Sequence, residues 1–327
     1  MTPRQTNIAL LWLTTLTLIS GVGAFLIGTQ AGHAVVLTHG VLGVGILVLS
    51  PWKSVIARRG LRRARHGSLL SLTLTFTILV AVGTGILQVT GWANRLGPLT
   101  LMQAHVGSGV AAIALTRIHY RQRSVGTAPR DPSRRNLIRW TGLLSVAALI
   151  YVGTEGLWRL TSAPGRNRRF TGSHEILDVA DVPATQWLND RVQHLGTGHQ
   201  VTISGTRYRA EEIAMGGDVV TATLDCTGGW YTTQEWSGTS LDRLIQETGG
   251  QSIVVRSVTG YWRRFPRRDA PRLLLATHAA GHPLRDGHGG PMRVVADGRR
   301  GYWWVKWVES VEVDDLPPWW QPPLPLA

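Results

Sequence analysis

The stretch Leu224-Asp225-Cys226-Thr227-Gly228-Gly229-Trp230 contains the only cysteine of the 327 residues, so the chain cannot form an intrachain disulfide. It follows a strand-like apolar run at residues 219–224 and opens into a glycine turn. A free cysteine is most often a small buried core residue. A thiol where a strand gives way to a loop can also offer its sulfur to a ligand.

The composition divides the chain into two unlike parts. Residues 1 to about 160 are rich in apolar runs, whereas the remainder is polar and globular. The formal net charge is +14, which raises the question of nucleic acid or an anionic surface. Many of the arginines, however, lie in two loops between apolar runs, a pattern typical of membrane insertion. We therefore predict a membrane domain at 1–160, an outer domain at 161–327 and no nucleic-acid partner.

Five apolar runs reach or approach the roughly 20 residues that a helix needs to cross a bilayer. They cover residues 7–28, 34–52, 69–91, 99–119 and 137–160. Basic residues concentrate after the second and fourth runs, whereas the alternate loops hold only Arg95. Because cytoplasmic loops carry the excess of Lys and Arg, we predict a multi-pass protein of the bacterial cell membrane. Its amino terminus would be cytoplasmic and its carboxyl-terminal domain would lie on the outer side.

Histidines within or beside these runs are informative, because ionisable groups at membrane depth are costly and usually functional. His105 and His119 lie 14 residues apart in the fourth run. On a helix this is about 21 Å of rise and nearly four turns, so both side chains leave the same face. The topology places His39 level with His105 and His66 level with His119. Haem iron commonly takes axial histidine, and helical bundles hold cofactors between facing helices.

The spacing of these four histidines resembles that of the di-haem, bis-histidine membrane cytochromes b. The resemblance implies two b haems, one held by His39 and His105 and one by His66 and His119. His66 also follows an arginine cluster and could be a solvated interfacial residue. His119 could extend its ring towards the membrane surface instead of binding iron.

The sequence Ser133-Arg134-Arg135-Asn136-Leu137-Ile138-Arg139 precedes the fifth apolar run and resembles the twin-arginine export signal. That signal is read by a receptor for proteins that cross the membrane already folded. It would mean that the outer domain acquires a cofactor before export. The alternative is that these arginines merely extend the cytoplasmic charge.

The part after residue 160 has strand-like runs at 200–204, 219–224, 252–258, 292–296 and 302–313. One helix is predicted from about Ser240 to the glycines at 249 and 250. This mixture indicates an α+β domain. The proline-rich residues 317–325 predict an extended tail. Its Trp319 and Trp320 would pack back on the domain or lie at a lipid interface.

Four ordered blocks resemble the molybdopterin-binding domain of the sulfite oxidase family over roughly residues 166–313. They read DCTGGWYTTQEWSGTSLDRL, VRSVTGYWRRFP, HPLRDGHGGPMRVV and GYWWVKWV. The resemblance implies a molybdenum–molybdopterin cofactor and assigns the protein ligand of molybdenum to Cys226, whose thiolate is a soft ligand. It also implies a catalytic role for Tyr261. The residues that it places at the cofactor are Arg169, Thr171, Gly172, Thr259, His288, Arg293, Gly301 and Lys306.

One position departs from the family pattern. The residue three before Lys306 is commonly basic in the family but is Trp303 here. The pterin phosphate would therefore be held by fewer charges, or by Arg299 or Arg300. His174 lies near the first cofactor contacts that the resemblance implies, but we expect it to be a surface histidine.

The combined patterns predict a membrane-anchored, molybdenum-dependent oxidoreductase that exchanges electrons between an outer molybdopterin centre and transmembrane b haems. Quinone or another membrane redox molecule would be the partner, and a small molecule such as a sulfoxide or sulfite the substrate. Five arginines could bind an anionic substrate or form a solvated basic face, namely Arg256, Arg263, Arg264, Arg267 and Arg268. The alternatives are a haem-only electron-transfer protein with a degenerate outer domain, or a non-enzymatic sensor or binding module.

Overall fold

The computed structural model describes residues 1–63, 68–93, 95–97, 99–123, 133–185, 191–196 and 198–325. The chain divides into two units, Met1–His174 and Glu175–Ala327. The division falls after the predicted boundary at 160/161 because the segment that follows residue 160 packs within the amino-terminal unit. Gly165 lies so close to Val89 that a Cβ at this position would come 2.0 Å from the Val89 carbonyl oxygen.

Long helices make up most of the described amino-terminal unit. They are α1 (Pro3–Leu26), α2 (Ala31–Arg63), α3 (Ser68–Thr90), α4 (Leu101–Arg123) and α5 (Arg134–Leu160). A small antiparallel pair, β1 (Arg95–Leu96) and β2 (Leu99–Thr100), precedes α4. α1 packs along α2, α3 packs along α4, and α5 packs on α2. The five predicted helices are therefore present.

Four helices within the described ranges are long and apolar enough to cross a membrane. They cover Pro3–Leu26, Ala31–Gly60, Leu69–Thr90 and Arg134–Leu160. α4 is 23 residues long, but it carries two histidines and several arginines, and each charged residue opposes burial in lipid. The apolar helices are compatible with membrane insertion. The count of five spans and the sidedness of the chain stay predictions.

The sequence 133–139 forms the start of α5. The Ser133 hydroxyl caps the helix by accepting the Asn136 N–H at 3.4 Å, which satisfies one of the donors left open at a helix start. The Gln5 side chain donates to Asn136 Oδ1 at 2.8 Å and accepts from Arg139 at 3.2 Å. These residues therefore tie the starts of α1 and α5 together, and their role as an export signal stays a prediction.

Strands dominate the carboxyl-terminal unit, and β3 (His174–Glu175) lies at its start. The other strands are β4 (Gln200–Ile203), β5 (Thr206–Arg209), β6 (Asp218–Cys226), β7 (Trp230–Ser240), β8 (Ser252–Ser257), β9 (Trp262–Pro266), β10 (Leu273–Ala279), β11 (His282–Pro283), β12 (Arg293–Ala296) and β13 (Val308–Asp314). Two short helices, α6 (Ala210–Ala214) and α7 (Leu241–Leu244), connect them. The predicted α+β class is confirmed for this unit.

Two sheets enclose the core of this unit. In one sheet β10 pairs with β7, β11 and β12, and β6 pairs with β7, all antiparallel. The other sheet has the order β5-β4-β13-β8-β9, with β4 and β13 parallel. Ile203, Val255, Phe265, Leu275 and Val294 are completely buried between them. Each such side chain contributes about 1.5–3 kcal/mol through removal of apolar surface from water.

Two elements are shorter in the structure than the sequence predicts. The predicted strand 302–313 is interrupted: Gly301–Trp303 form a 3-10 turn and β13 begins only at Val308. The cause is Trp307, whose φ of 49° is left-handed and breaks the extended backbone. The helix predicted from Ser240 comprises a single turn, α7.

The tail at 317–325 packs back on the domain. The Gln321 side chain donates to the Arg264 carbonyl at 2.7 Å and accepts the Arg264 N–H at 3.0 Å. Arg263 donates to the Pro322 carbonyl at 2.9 Å. The rings of Trp319 and Trp320 stay 73% and 59% exposed, so the backbone of the tail is fixed while its tryptophans face outward.

Candidate functional site

Cys226 is the last residue of β6 and faces the hairpin turn into β7. Because β6 and β7 pair from Asp218 opposite Gly238 to Cys226 opposite Trp230, their full length holds the cysteine at the turn. Its side chain is 7% exposed. The sulfur accepts the Gly228 N–H at 3.3 Å and lies 3.5 Å from the Thr185 hydroxyl. The sequence placed Cys226 correctly at the junction of strand and turn.

A pocket in this unit brings Cys226 together with other residues that the family resemblance selects. Its lining includes Tyr261, His288, Arg293, Gly301 and Lys306. A neighbouring pocket shares His288 and Arg293 with it. Within the part of the chain that the structure describes, no aspartate or glutamate lines either pocket. The pocket is therefore cationic and contains a thiol.

Arg293 provides the most deeply buried charge of the pocket, with 2% of the residue exposed. It lies between the rings of Trp236 and Trp304, at 5.4 and 5.5 Å from their centres. Its Nη1 donates to the His288 carbonyl at 2.9 Å and its Nη2 to the Trp304 carbonyl at 3.2 Å. Burial lowers the pKa of Arg293 to about 10, with an opposing contribution from Cys226. The group is therefore still a cation at neutral pH.

The Nε–H of Arg293 is buried and has no hydrogen-bond partner among the described residues. A buried donor without an acceptor costs about 1–3 kcal/mol. A bound ligand, ion or water is one way in which such a donor is satisfied. This donor suits an anion bound in the pocket, because hydrogen bonds from a guanidinium to an anion are the stronger, charge-assisted kind.

Lys306 is the second cation of the pocket. Its Nζ donates to the carbonyls of Thr185 and Gly287 at 2.9 and 2.8 Å. Gly289 makes room for its stem: the residue has a φ of 96°, and a Cβ there would lie 2.9 Å from Lys306 Cβ. Only glycine adopts this backbone without cost. The chain therefore fixes the ammonium group through backbone contacts on both sides.

His288 is a neutral hydrogen-bonding residue at neutral pH. Its Nε2 lies 2.9 Å from the carbonyl oxygen of Val182 and therefore donates to it, because a carbonyl oxygen can only accept. Burial, followed by the charges of Arg285 and Arg293, lowers the pKa of His288 to about 4. The ring thus adds no further charge to the pocket.

Tyr261 is held in one orientation by its neighbours. Its hydroxyl donates to the Tyr302 carbonyl and accepts from Arg263 Nε at 2.7 Å. Arg263 is 2% exposed and stacks on both tyrosine rings, 5.0 and 5.1 Å from their centres. Burial raises the pKa of Tyr302. Tyr261, which lines the pocket, therefore has its hydroxyl fixed by two hydrogen bonds.

These residues fit a phosphate-bearing cofactor that carries a thiolate-binding metal. The thiol of Cys226 is a suitable ligand for such a metal. Arg293 and Lys306 supply two positive charges for an anionic group. Gly301 keeps the neighbouring segment close, because a Cβ there would lie 3.1 Å from Cys226 Cα.

Other residues selected by the resemblance are not among those that line these pockets. Thr259 does not line the described pockets and bonds to the Ser257 hydroxyl at 3.0 Å. Arg169, Thr171 and Gly172 belong to the amino-terminal unit, where Arg169 and Ser173 close a turn through their backbones. Their contacts to a cofactor stay predictions.

His174 is not the loose surface histidine that we expected. Its Nε2 donates to the Gln88 carbonyl, and burial lowers its pKa. The ring thereby joins the segment after α5 to the end of α3. No local pattern predicts this contact, because the two residues are 86 positions apart.

Arg299 and Arg300 are both paired with carboxylates and do not line the described pockets. Arg299 pairs with Asp269 and stacks on Trp303 at 4.5 Å from the ring centre. Arg300 pairs with Asp225 at 2.6 Å. Because both arginines already have carboxylate partners, the geometry favours a phosphate site with fewer charges over one that is completed by Arg299 or Arg300. Trp303 stands where the family commonly has a basic residue.

The arginine cluster expected to bind an anionic substrate, or to form a solvated face, is largely structural. Arg263 is committed to Tyr261 and the tail, and Arg264 is buried against Asp314 and the Ser252 hydroxyl, both at 2.7 Å. Arg267 donates to the Glu247 carbonyl, and Arg256 lies 4.0 Å from Glu312. Four of the five arginines thus already have partners, and none of the five lines a described pocket.

In the amino-terminal unit the structure brings His39 and His105 together. Their ring centres are 5.8 Å apart and the ring planes are perpendicular. His39 Nδ1 donates to the Thr17 carbonyl at 2.9 Å, and His105 Nδ1 donates to the Ala81 carbonyl at 2.7 Å. Since each Nδ1 carries the proton, each neutral ring keeps the lone pair on Nε2. Metal-binding histidines have this arrangement.

The environment of each imidazole is built in the same way. Gly21 lies four residues after Thr17, and a Cβ there would come 3.1 Å from His39 Cε1. Gly85 lies four residues after Ala81, and a Cβ there would come 3.1 Å from His105 Cε1. In both cases a carbonyl orients the ring and a glycine one turn later makes room for it. Sequence inspection alone missed these two glycines.

The second predicted pair is not tested. His66 lies outside the described residues. His119 lies in α4, 14 residues after His105 as the sequence requires. A second haem between these residues stays a prediction.

Comparison with known proteins identifies the carboxyl-terminal part. Residues 196–319 match the family model described as oxidoreductase molybdopterin binding domain. Among solved structures, the sulfane dehydrogenase SoxCD from Paracoccus pantotrophus is similar at 24% sequence identity and a TM-score of 0.36. That match covers 39% of this chain and 41% of the other, so it spans less than half of either. No curated protein sequence matches the chain. Residues 196–319 are therefore similar to an oxidoreductase molybdopterin binding domain.

Proposed function

We propose that the protein is a membrane-anchored molybdenum oxidoreductase of the sulfite oxidase type that exchanges electrons with b haem in its own helical unit. Its substrate is a small molecule such as a sulfoxide or sulfite. The quinone pool is the other electron partner. The observation that carries the enzymatic part is the pocket that combines Cys226 with Arg293 and Lys306 in the domain matched by the family model.

In this proposal, different residues of the pocket bind different parts of the cofactor. Cys226 binds molybdenum through its thiolate, while Arg293 and Lys306 hold the pterin phosphate. In this proposal Tyr261 acts on the substrate from the lining of the pocket, and His288 contributes through its contact with the Val182 carbonyl. When bound, the molybdenum–pterin group supplies two-electron redox chemistry such as oxygen-atom transfer. Thr259, Arg169, Thr171 and Gly172 provide further contacts in this proposal.

The haem proposal rests on the geometry of His39 and His105. The two rings are 5.8 Å apart between their centres, so one metal-containing group could be held by both imidazoles. The backbone carbonyls of Thr17 and Ala81 leave both Nε2 atoms available. In this account His66 and His119 hold a second haem.

The remaining parts of the proposal concern location. The apolar helices anchor residues 1–160 in a bacterial cell membrane, with the amino terminus in the cytoplasm. The domain at 161–327 lies on the outer side, and the sequence 133–139 directs its export after the cofactor is inserted. Location of both redox sites in one chain removes a diffusional encounter between donor and acceptor.

A substrate screen with the haem as an optical reporter tests this function. The purified full-length protein, in detergent or nanodiscs, is mixed with sulfite while the haem is oxidised, or with sulfoxides after dithionite reduction. Sulfite oxidation predicts haem reduction, and sulfoxide reduction predicts haem reoxidation. If the haem shows no response to either class, or responds equally in Cys226→Ser, the proposed electron path is wrong.

A second experiment separates the haem sites. His39→Ala and His105→Ala should each remove the same low-spin b-type absorption, because both rings bind one iron. His119→Ala should affect a different component. Unchanged bands in both His39→Ala and His105→Ala would contradict the pairing.

A further inference from the structure

A buried ion pair stands directly behind the cysteine. Arg300 Nη1 donates to Asp225 Oδ1 at 2.6 Å, and each side chain is only 4% exposed. Asp225 and Arg300 also form a parallel backbone bridge, although 75 residues separate them in the chain. The contact therefore joins the end of β6 to the loop that precedes β13.

The pair connects two segments of the chain that line the pocket side by side. Asp225 immediately precedes Cys226, and Arg300 immediately precedes Gly301, and both Cys226 and Gly301 line the pocket. The two segments are in close contact here, since a Cβ on Gly301 would lie 3.1 Å from Cys226 Cα and 3.2 Å from the Asp225 carbonyl oxygen. A change in the distance between Asp225 and Arg300 would move the sulfur relative to the Gly301 segment.

Stability alone does not account for such a pair. Two charges lose their hydration on burial, and well-packed apolar residues often serve the fold equally well or better. The Nε–H of Arg300 is also buried and has no hydrogen-bond partner among the described residues. A feature that costs solvation and is placed one residue from the proposed metal ligand is best explained by the geometry that it imposes.

We infer that Asp225 and Arg300 are positioning residues that hold the Cys226 sulfur in register with the Gly301 segment and so fix the molybdenum–thiolate geometry. This inference rests on the proposed function. Neither side chain touches the cofactor in this account: they act through the backbone on the ligand and on the Gly301 segment. Partners of metal ligands commonly change metal affinity or activity by about 10–100-fold when they are mutated.

The chain contains a matched control pair. Arg299, the residue next to Arg300, pairs with Asp269, and their side chains are 29% and 20% exposed. Neither of these residues lines a described pocket. Asp269→Asn therefore removes the same kind of interaction, from the adjacent position, without any link to Cys226.

The test compares Asp225→Asn, Arg300→Gln and Arg300→Lys with Asp269→Asn in the full-length holoprotein. Two quantities are measured: the rate of molybdenum loss on dialysis, by elemental analysis, and the thiolate-to-molybdenum charge-transfer absorption. Asp225→Asn and Arg300→Gln should lose molybdenum about tenfold faster or more and shift the absorption band. Arg300→Lys should recover part of both properties, and Asp269→Asn should match the wild type.

A double variant tests the same inference if the single variants fail to fold. Asp225→Leu combined with Arg300→Met removes both charges together, which buried pairs often tolerate. It should fold, as judged by circular dichroism, yet show the shifted band and faster metal loss. A folded double variant with the wild-type band and metal retention would overturn the inference. Wild-type protein without molybdenum would instead overturn the proposed function.

Discussion

The glycine that faces each imidazole should control the proposed haem site. In Gly85→Ala the new Cβ would lie 3.1 Å from His105 Cε1 and 3.2 Å from its Nδ1. Contacts this short force the neighbour to move by a few tenths of an ångström. The ring cannot move freely, because its Nδ1 is bonded to the Ala81 carbonyl at 2.7 Å. We therefore expect a strained or rotated axial ligand.

The size of the effect follows from the cost of displacing the side chain. An imidazole about 30° away from its rotamer costs about 0.5–1.5 kcal/mol. For a one-electron couple, about 1.4 kcal/mol corresponds to 59 mV. If the strain acts on only one oxidation state, the haem potential shifts by about 20–60 mV. Gly21→Ala should act on His39 in the same way, since its Cβ would lie 3.1 Å from that ring.

Potentiometric titration followed by absorption spectroscopy measures this shift. Gly83→Ala is the control: it lies on the same helix, gains the same helix propensity, and its Cβ would meet no atom within 4 Å. Gly85→Ala should change the potential and the low-spin spectrum, whereas Gly83→Ala should not. Equal spectra and potentials in both variants would refute the assignment of His105 as an axial ligand.

Three further predictions concern the carboxyl-terminal unit. Because the folded-state pKa of His288 is about 4, below its ordinary 6.5, the unfolded chain binds the extra proton first as the pH falls. The free energy of unfolding of the wild type should therefore fall between pH 6.5 and 4 relative to that of His288→Gln, as denaturant titrations would measure. The full pKa difference corresponds to about 3 kcal/mol, and allowance for the partial exposure of the ring reduces the expected loss to about 2 kcal/mol. Gly238→Ala places a Cβ 2.0 Å from the Leu275 carbonyl oxygen and should lower the unfolding free energy by about 2–3 kcal/mol or more. Arg263→Met removes the donor to the Pro322 carbonyl and should make the tail sensitive to carboxypeptidase, as mass spectrometry would detect.

Each of these predictions has a control or a contradicting result. A parallel pH dependence of wild type and His288→Gln would mean that this ring does not titrate as described. Gly249→Ala serves as the control for Gly238→Ala, because its Cβ would meet no atom within 4 Å. An intact tail in Arg263→Met, after prolonged digestion, would show that other contacts hold it.

The predictions that rest on apolar periodicity and on local turn residues agree with the structure. The helices, the α+β class and the position of Cys226 follow from apolar patterns and from glycine turns. The proximity of His39 and His105 followed from helix topology, because residues at equal depth in neighbouring helices meet. The span count was less secure, since the histidines and arginines of α4 reduce its apolar character.

Features that depend on tertiary contacts could not be predicted. β7 contains Thr, Gln, Glu and Ser and lacks a strong apolar pattern, yet it forms because β6 and β10 pair with it on both sides. Arg263 and Arg264 were expected to bind an anionic substrate or to form a solvated face, but they are buried by the tail and by Asp314. The partnership of Asp225 and Arg300 spans 75 residues and carries no local sequence signal.

Molybdenum and pterin analysis of the purified wild type and of Cys226→Ser tests the central claim most directly. Both proteins are produced in a host that makes the cofactor and are purified in parallel. Near-stoichiometric molybdenum with its pterin is expected in the wild type, and a loss of most of the metal is expected in Cys226→Ser because the thiolate ligand is gone. Metal-free wild-type protein, or undiminished molybdenum in Cys226→Ser, would contradict the assignment of this pocket as the molybdenum site.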